Sequence, residues 1–231
     1  MSSDARTAIV TGGSRGLGLA LVADLAGDGW RVVTDARDGH ALSDAVGDLP
    51  GVVAVPGDLA DEPHRRALVQ ATGDTPLDAV VLNAGILGPS PQPPLADYPL
   101  DVLSRVYEVN VLAQLGLLQL ALPRLRPGGV IVAITSDAAR EPYPGWGGYG
   151  SAKAALEQLV SILGAERPDL RIYAADPGDM RTRMHADAFP GEDISDRPPP
   201  EVAVPGLRHL LDGQLSSGRY AVTALAPGMV R

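Results

Sequence analysis

Tyr149 and Lys153 are the residues whose types and spacing point most directly to chemistry, because they lie four positions apart. On a helix, this spacing places both side chains on one face, about one turn apart. A neighbouring ammonium group favours the phenolate, so we expect the pKa of Tyr149 to move from its ordinary value of about 10 towards neutral pH. We interpret Tyr149 as a general acid or base, with an ordinary surface pair of Tyr149 and Lys153 as the alternative.

A glycine-rich turn at residues 11–18 is the second stretch of interest. It directly follows the apolar run 8–10 and leads into leucines at helical spacing. Such a turn brings backbone N–H groups and a helix N-terminus against a phosphate, as a dinucleotide site requires. Gly12 allows the tight turn, Gly16 lets a pyrophosphate approach the backbone, and Gly18 lets the helix pack closely on the strand. A plain turn between a strand and a helix is the alternative interpretation.

Short apolar runs alternate along the chain with segments whose apolar residues fall on one helical face. This alternation predicts an α/β fold: a Rossmann-type doubly wound parallel sheet of about seven strands with helices on both faces. The strands are predicted at residues 8–10, 31–34, 52–55, 77–82, 130–134, 170–175 and 219–223. The length of 231 residues fits a single dinucleotide-binding oxidoreductase domain over residues 1–231.

The longest predicted helix runs from about residue 99 to residue 122, and residues 111–122 are apolar around much of its circumference. In isolation, such a helix would expose a large apolar surface. A helix sandwiched in the core is one interpretation. We favour a helix with one face in the core and the other in a subunit interface.

Two loops, at residues 88–94 and 176–200, follow the fourth and sixth predicted strands. They leave the carboxyl ends of strands, where open parallel sheets bind ligands. The first loop is interpreted as pocket lining or as a proline-stiffened connector. In the second, residues from about 179 to 200 are predicted to form a substrate loop that acts as a lid. Tyr143 and Trp146 either present aromatic faces to a substrate or pack beneath their own loop.

The formal net charge of -9 and the lack of a Lys/Arg cluster argue against nucleic-acid binding. With no cysteine in the chain and four histidines that lack ligand spacing, no metal site is expected. Residues 1–6 are too short and polar for a signal peptide, and no apolar stretch approaches the roughly 20 residues that span a bilayer. We therefore expect a cytoplasmic protein without a membrane partner.

Ser136 lies at the end of the strand predicted at residues 130–134, thirteen positions before Tyr149. Together with the glycine turn and Lys153, these residues resemble the short-chain dehydrogenase/reductase family in its classical branch. Further matches in family order are Asp58-Leu59, Asn83-Ala84-Gly85, Asn110 and Pro177-Gly178-Asp179-Met180-Arg181-Thr182. The resemblance covers nearly the whole chain, and the order and spacing of its motifs make it specific.

This resemblance implies catalytic roles for four residues. Tyr149 corresponds to the proton donor or acceptor at the reacting oxygen, and Ser136 to the hydrogen-bond partner that holds this oxygen. Lys153 resembles the residue that binds the nicotinamide ribose and tunes the tyrosine. Asn110 resembles the residue whose backbone supports a proton-relay water.

The family pattern also implies which residues bind the cofactor. Asp58 and Leu59 would contact the adenine, residues 83–85 the central part, and residues 177–182 the nicotinamide end. The full set implied by the resemblance is Gly12, Ser14, Arg15, Gly16, Leu17, Gly18, Arg37, Asp58, Leu59, Asn83, Ala84, Gly85, Tyr149, Lys153, Pro177, Gly178, Met180 and Thr182.

The choice of cofactor depends on the end of the second predicted strand, at residues 34–37. A carboxylate there binds the ribose hydroxyls of NAD, whereas an arginine attracts the 2′-phosphate of NADP. A count of about 20 residues from the glycine turn selects Asp35 and NAD. Alignment with the family pattern instead puts Ala36 at the selecting position and turns Asp35 to the other side of the strand. Arg37 and Arg15 are then left to bind the phosphate, so NADP(H) is preferred and NAD(H) is the alternative.

The sequence thus indicates an NADP(H)-dependent oxidoreductase that interconverts a small-molecule carbonyl and alcohol by hydride transfer, with Tyr149 as general acid or base. One alternative is a redox-neutral step on the same scaffold, such as dehydration, cyclisation or epimerisation. Another is a non-catalytic dinucleotide sensor, against which the intact Ser136, Tyr149 and Lys153 argue. The resemblance and the apolar long helix also indicate a homodimer or homotetramer.

Overall fold

A seven-stranded parallel sheet organises the chain, of which the computed structural model describes residues 5–225. The strands are β1 (Thr7–Val10), β2 (Arg31–Ala36), β3 (Val52–Pro56), β4 (Leu77–Leu82), β5 (Leu125–Ile134), β6 (Arg171–Asp176) and β7 (Gly218–Ala221). Their order across the sheet is β3-β2-β1-β4-β5-β6-β7. The order reverses direction between β1 and β4, which is where open parallel sheets bind ligands.

The helices cover both faces of the sheet because the strands are apolar on both sides. Ala8 and Val10 pack into one buried layer, and Ile9, between them, packs into the other. The helices are α1 (Gly16–Gly27), α2 (Gly39–Val46), α3 (Glu62–Ala71), α4 (Leu100–Tyr107), α5 (Ala113–Ala121), α6 (Gly147–Glu166), α7 (Arg183–Ala188) and α8 (Val204–Asp212). Helices α1, α2 and α8 pack on one face, and α3, α5 and α6 pack on the other. The predicted doubly wound fold is confirmed.

Each predicted strand is present, and β4 has the predicted bounds, whereas the ends of the other six differ by one to five residues. β5 begins at Leu125, five residues before the predicted start. β7 ends at Ala221 because the chain then enters a 3₁₀ turn at Val222–Leu225. Val222 is completely buried, so its apolar character reflects packing in the core rather than strand pairing.

The long helix predicted at residues 99–122 is divided in the structure. A π-helical turn at Glu108–Leu112 separates α4 from α5. The expectation that no apolar stretch approaches the length of a membrane span is wrong for Leu100–Arg124, whose mean hydropathy reaches 1.2. Half of that window is buried inside the fold, as is typical of a core helix.

Candidate active site

A cleft of about 1300 Å³ opens at the carboxyl ends of the strands. All the residues of the cofactor set implied by the resemblance line it, and so does Ser136. The loop at residues 88–94 contributes its first three residues, and much of the segment 176–189 forms the opposite wall. Asn110 does not line the cleft, because its side chain is completely buried.

The glycine turn has no room for side chains at its closest contacts. Gly12 has a φ of 77°, a left-handed conformation that favours glycine. A Cβ atom at Gly18 would collide with the carbonyl oxygen of Gly12, which accounts for the close packing of α1 on the end of β1. Gly13, to which the sequence assigned no role, is equally constrained, because a Cβ atom there would collide with the Thr34 hydroxyl.

Asn83 fastens the turn to β4. Its side-chain Nδ2 donates to the carbonyl oxygen of Thr11 at 2.8 Å. The backbone N–H groups of Asn83 and Ala84 both donate to the Thr11 hydroxyl, each at 3.0 Å. These bonds join the ends of β1 and β4, so they fix the floor of the cleft at the point where the strand order reverses.

Asp35 supports the glycine turn from beneath. It is only 2% exposed, and its Oδ1 accepts a bond of 2.7 Å from the backbone N–H of Gly12. Its Oδ2 lies 3.1 Å from Nε2 of the buried His64. Both carboxylate oxygens are therefore engaged with the protein, whereas Arg37, two residues later, is exposed at the rim of the cleft.

Asp58, at the far end of the cleft, is also tied to the protein. Its Oδ1 accepts the backbone N–H of Ala60 at 3.0 Å, and its Oδ2 pairs with the Arg105 guanidinium. Burial acts to raise the pKa of Asp58, but these two partners outweigh it and hold the pKa below its usual value. The carboxylate is therefore charged at neutral pH.

Tyr149 and Lys153 lie on α6 and are both buried, at 8% and 3% exposure. The Lys153 ammonium donates to the carbonyl oxygen of Ile134 at 2.8 Å. Its Nζ lies 5.6 Å from the centre of the Tyr149 ring. The spacing of four residues thus brings the ammonium and the phenol ring together at the floor of the cleft, as the helical pattern predicts.

Burial, rather than mutual attraction, dominates the ionisation of this pair. Burial raises the pKa of the Tyr149 phenol well above 10, and the carboxylates of Asp176 and Asp137 raise it further. Burial lowers the pKa of Lys153 to about 8. The expectation that Lys153 draws the pKa of Tyr149 towards neutral pH is wrong here, because desolvation outweighs the effect of the ammonium. Tyr149 is consequently protonated at neutral pH.

Ser136 follows β5 and begins the 3₁₀ turn Asp137–Ala139. Its Oγ accepts the backbone N–H of Ala138 at 3.2 Å and donates to Oδ1 of Asp137 at 2.9 Å. Oδ2 of Asp137 accepts the hydroxyl of Tyr143 at 3.0 Å. The serine hydroxyl therefore has a defined orientation, which is set by the neighbouring carboxylate.

Asn110 lies in the π-helical turn between α4 and α5. Its side chain makes two bonds of 2.8 Å to the backbone of Ile86, one to the N–H and one to the carbonyl oxygen. A Cβ atom at Gly85 would lie 3.2 Å from Oδ1 of Asn110 and 3.7 Å from Nζ of Lys153. Asn110 and Lys153 thus flank the same stretch of backbone. The widened turn alters the backbone bonding at this point, as is common at functional sites.

The sequence did not indicate an ionic cluster that lies next to the site. Arg219, on β7, donates to Glu157 at 2.9 Å, to Asp176 at 2.7 Å and to the carbonyl oxygen of Ser136 at 3.4 Å. Glu157 also accepts the Thr135 hydroxyl at 2.8 Å. The cluster joins the ends of β5 and β6 to α6. No local pattern indicates it, because Arg219 and Ser136 are 83 residues apart.

Comparisons with known proteins agree with this geometry. Residues 6–193 match the family described as short chain dehydrogenase. A Pseudomonas aeruginosa 3-oxoacyl-[acyl-carrier-protein] reductase of rhamnolipids biosynthesis is 36% identical over 200 residues, which cover 78% of this chain and 74% of that protein. A short chain dehydrogenase from Escherichia coli CFT073 complexed with NADPH has a TM-score of 0.85 at 29% identity, covering 94% of this chain and 96% of that chain. An alcohol dehydrogenase from the archaeon Thermococcus sibiricus complexed with 5-hydroxy-NADP has a TM-score of 0.84 at 26% identity, covering 99% of each chain.

Proposed function

Because this chain belongs to the short chain dehydrogenase family of oxidoreductases, we propose that it interconverts a carbonyl and an alcohol of a small molecule with NADP(H) as cofactor. The observation that carries this proposal is the buried pair Tyr149 and Lys153 at the floor of a cleft that begins at the glycine turn. The relatives support the cofactor, because the named structures from E. coli and T. sibiricus were determined with NADPH and an NADP derivative.

The residues of the cleft fit an extended dinucleotide. The turn at Gly12 and the N-terminus of α1 would hold the pyrophosphate, since Gly12, Gly16 and Gly18 line the cleft and carry no side chain that would keep a phosphate from the backbone. Arg15 and Arg37, both exposed at the rim, would bind the 2′-phosphate. The carboxylate of Asp35 is already engaged beneath the turn, so it is a poor ligand for the ribose of NAD.

Other parts of the cleft would hold the remaining groups of the cofactor. Asp58 and Leu59 would face the adenine, Asn83 to Gly85 the central part, and Pro177, Gly178, Met180 and Thr182 the nicotinamide end. Residues 179–200 would form the substrate loop. When bound, the cofactor supplies or accepts the hydride at its nicotinamide ring.

The proton chemistry falls to the chain's own residues. In reduction, Tyr149 donates its phenolic proton to the oxygen of the substrate, and its raised pKa ensures that the proton is present at neutral pH. Ser136 Oγ, which donates to Asp137 in the structure, would donate to the substrate oxygen instead. The ammonium of Lys153 stabilises the phenolate that remains. The backbone of Asn110 would support a water that returns a proton to the site.

A titration of the purified protein with NADPH, and separately with NADH, tests this function by cofactor fluorescence. We expect clear preference for NADPH, followed by its oxidation when carbonyl compounds are added. Preference for NADH would contradict the role of Arg37 and retain the enzyme class. Binding of neither cofactor would overturn the proposed function.

We also infer that the protein assembles as a homodimer or homotetramer. Leu100 and Leu112 on the long helical segment are 78% and 62% exposed, and Ile162 on the adjacent α6 is 46% exposed. Large aliphatic side chains on neighbouring helices are typical of a surface that a second copy covers.

A further inference from the structure

Aromatic side chains are scarce in this protein and are concentrated at the cleft. The sequence holds one Phe, two Trp and six Tyr residues. Of these, Tyr143, Trp146, Tyr149 and Phe189 all line the cleft, including the only Phe of the chain. A chain with so few aromatic residues therefore has four of its nine at the cleft, and one of these four is the proposed proton donor.

The rings form a continuous surface that starts at Tyr149. The Trp146 ring lies 5.8 Å from the Tyr149 ring at an interplanar angle of 71°, and 5.8 Å from the Phe189 ring at 48°. Tyr143 lies 6.4 Å from Trp146, edge to face. His185 extends the surface, with its ring 4.8 Å from that of Phe189. These separations lie within the range at which aromatic rings attract one another.

The surface is accessible from the cleft rather than sealed in the core. Tyr143 is 44% exposed, and Trp146 and Phe189 are half-buried. We call these three side chains the aromatic wall. Tyr143 and Trp146 both line the cleft, and Trp146 also packs against the buried cluster of Leu87, Ala138 and Tyr149, so for Trp146 the two sequence interpretations hold together.

The aromatic wall is also held in place. The Tyr143 hydroxyl donates to Asp137, whose other oxygen accepts the Ser136 hydroxyl. The chain enters α6 immediately after Trp146, which fixes the base of that side chain. A rigid wall loses little conformational entropy when a ligand covers it, so it favours a flat partner of defined shape.

We propose that the substrate carries an aromatic ring close to its reacting carbonyl, and that this ring packs on Tyr143, Trp146 and Phe189. The direct contact between Trp146 and Tyr149 sets the distance, because a ring on the wall places its attached carbonyl beside the Tyr149 hydroxyl. This assignment rests on the proposed function. The carbonyl carbon gains the hydride, the oxygen gains the proton of Tyr149, and NADPH is oxidised to NADP⁺.

A pair of ketones of similar size tests the assignment. Acetophenone and cyclohexyl methyl ketone differ in whether the ring is aromatic, and kcat/KM for each is measured by NADPH oxidation. Because the two ketones differ in intrinsic reactivity, the test compares the change in kcat/KM that each variant causes with one ketone and with the other. For Trp146→Leu and Phe189→Leu, we expect kcat/KM to fall about three- to tenfold with acetophenone, since ring-on-ring contacts are lost. The value with cyclohexyl methyl ketone should fall less, because a saturated ring loses only contact area and no ring-on-ring contact.

Tyr107→Leu is the matched control, since Tyr107 lies on α4, packs in a separate apolar cluster and does not line the cleft. It should leave the ratio of the two ketones unchanged. Equal losses with both ketones in the wall variants, or no loss with acetophenone, would overturn the aromatic subsite while leaving the proposed function intact.

The two proposals fail in different ways. If the wild-type protein oxidises NADPH with neither ketone nor with any other carbonyl compound, the proposed function fails. Titration calorimetry with acetophenone and with cyclohexyl methyl ketone then tests the wall alone. Tighter binding of acetophenone that Trp146→Leu abolishes would support the aromatic subsite, and equal binding of both ketones would overturn it.

Discussion

Among single residues, Tyr149 is both buried and part of the lining of the cleft. Removal of its hydroxyl therefore tests its role as the proton donor. Tyr149→Phe deletes one oxygen and keeps the ring in contact with Trp146. We expect NADPH-dependent carbonyl reduction to fall by at least about a hundredfold, because a positioned general acid contributes roughly that much or more. The dissociation constant for NADPH should stay within a few-fold of wild type. Activity near the wild-type value would remove Tyr149 from the mechanism.

Lys153 carries a charge that the folded protein stabilises poorly. Its pKa is lowered to about 8 by burial, which corresponds to a destabilisation of about 3 kcal/mol at neutral pH. Lys153→Met should therefore be inactive yet more stable than wild type at pH 7, by about 1 to 3 kcal/mol once the lost bond to Ile134 is allowed for.

The difference in stability between Lys153→Met and wild type depends on pH in a direction that the pKa of Lys153 determines. Between pH 8 and the ordinary lysine value of 10.5, the unfolded chain holds a proton on Lys153 that the folded chain has released, so wild type gains stability as the pH rises. The advantage of Lys153→Met should shrink across this interval. Chemical denaturation at pH 7, 8.5 and 10 measures it, and a variant less stable than wild type at pH 7 would contradict the role of burial.

Arg37 is predicted to distinguish the two cofactors. Its guanidinium is exposed at the rim of the cleft, whereas the carboxylate of Asp35 is bonded beneath the glycine turn. Arg37→Ala should weaken NADPH binding by about 1 to 3 kcal/mol, the usual range for a lost charge-assisted contact. NADH binding, measured in the same fluorescence titration, should change little. An equal loss for both cofactors would contradict the proposed contact to the 2′-phosphate.

Between elements, the Arg219 cluster joins β5, β6, β7 and α6 directly behind Tyr149. Asp176 already raises the pKa of Tyr149, and Arg219 partly neutralises that carboxylate. Arg219→Gln should therefore raise the pKa of Tyr149 further and shift the pH at which alcohol oxidation begins to higher values, because oxidation needs the phenolate. The pH profile of kcat/KM for alcohol oxidation measures this shift.

A structural defect alone would lower the rate without moving the profile. Arg171→Gln supplies the control, since Arg171 begins β6 and bonds to the carbonyl oxygens of Gly128 and Gly213, away from the cleft. Arg219→Lys, which keeps a positive charge beside Asp176, should restore most of the wild-type profile. If Arg219→Gln retains that profile, Arg219 does not position or tune Tyr149.

The elements differ in how well local sequence defines them. The strands were predictable because runs such as 77–82 are apolar on both faces, and a doubly covered parallel sheet requires that pattern. The π-helical turn at Glu108–Leu112 was not, because its residues fit a regular helix, and the bond between its Asn110 and Ile86, 24 residues away, forms only on folding. The residues of the cleft could be predicted, because they lie at the ends of predicted strands and match the motifs of the family in order and spacing. The pKa of Tyr149 did not, because it depends on burial and on carboxylates brought near by folding.

For the molecule as a whole, the exposed helices provide the last prediction. Half of the apolar window within Leu100–Arg124 is buried against the sheet, and the remaining half leaves Leu112 62% exposed. In a two-fold symmetric assembly each contact occurs twice, so one substitution at the interface acts on both copies. Leu112→Glu would place a charge at an apolar contact, at a cost of several kcal/mol per dimer. Sedimentation velocity should show wild type as a dimer or tetramer and Leu112→Glu at half the wild-type mass, a single chain from a dimer or a dimer from a tetramer. Leu95→Glu is the control, because Leu95 is 66% exposed on a 3₁₀ turn outside these helices. A wild-type protein that sediments as a single chain, or a Leu112→Glu variant that keeps the wild-type mass, would show that a second copy does not cover this surface.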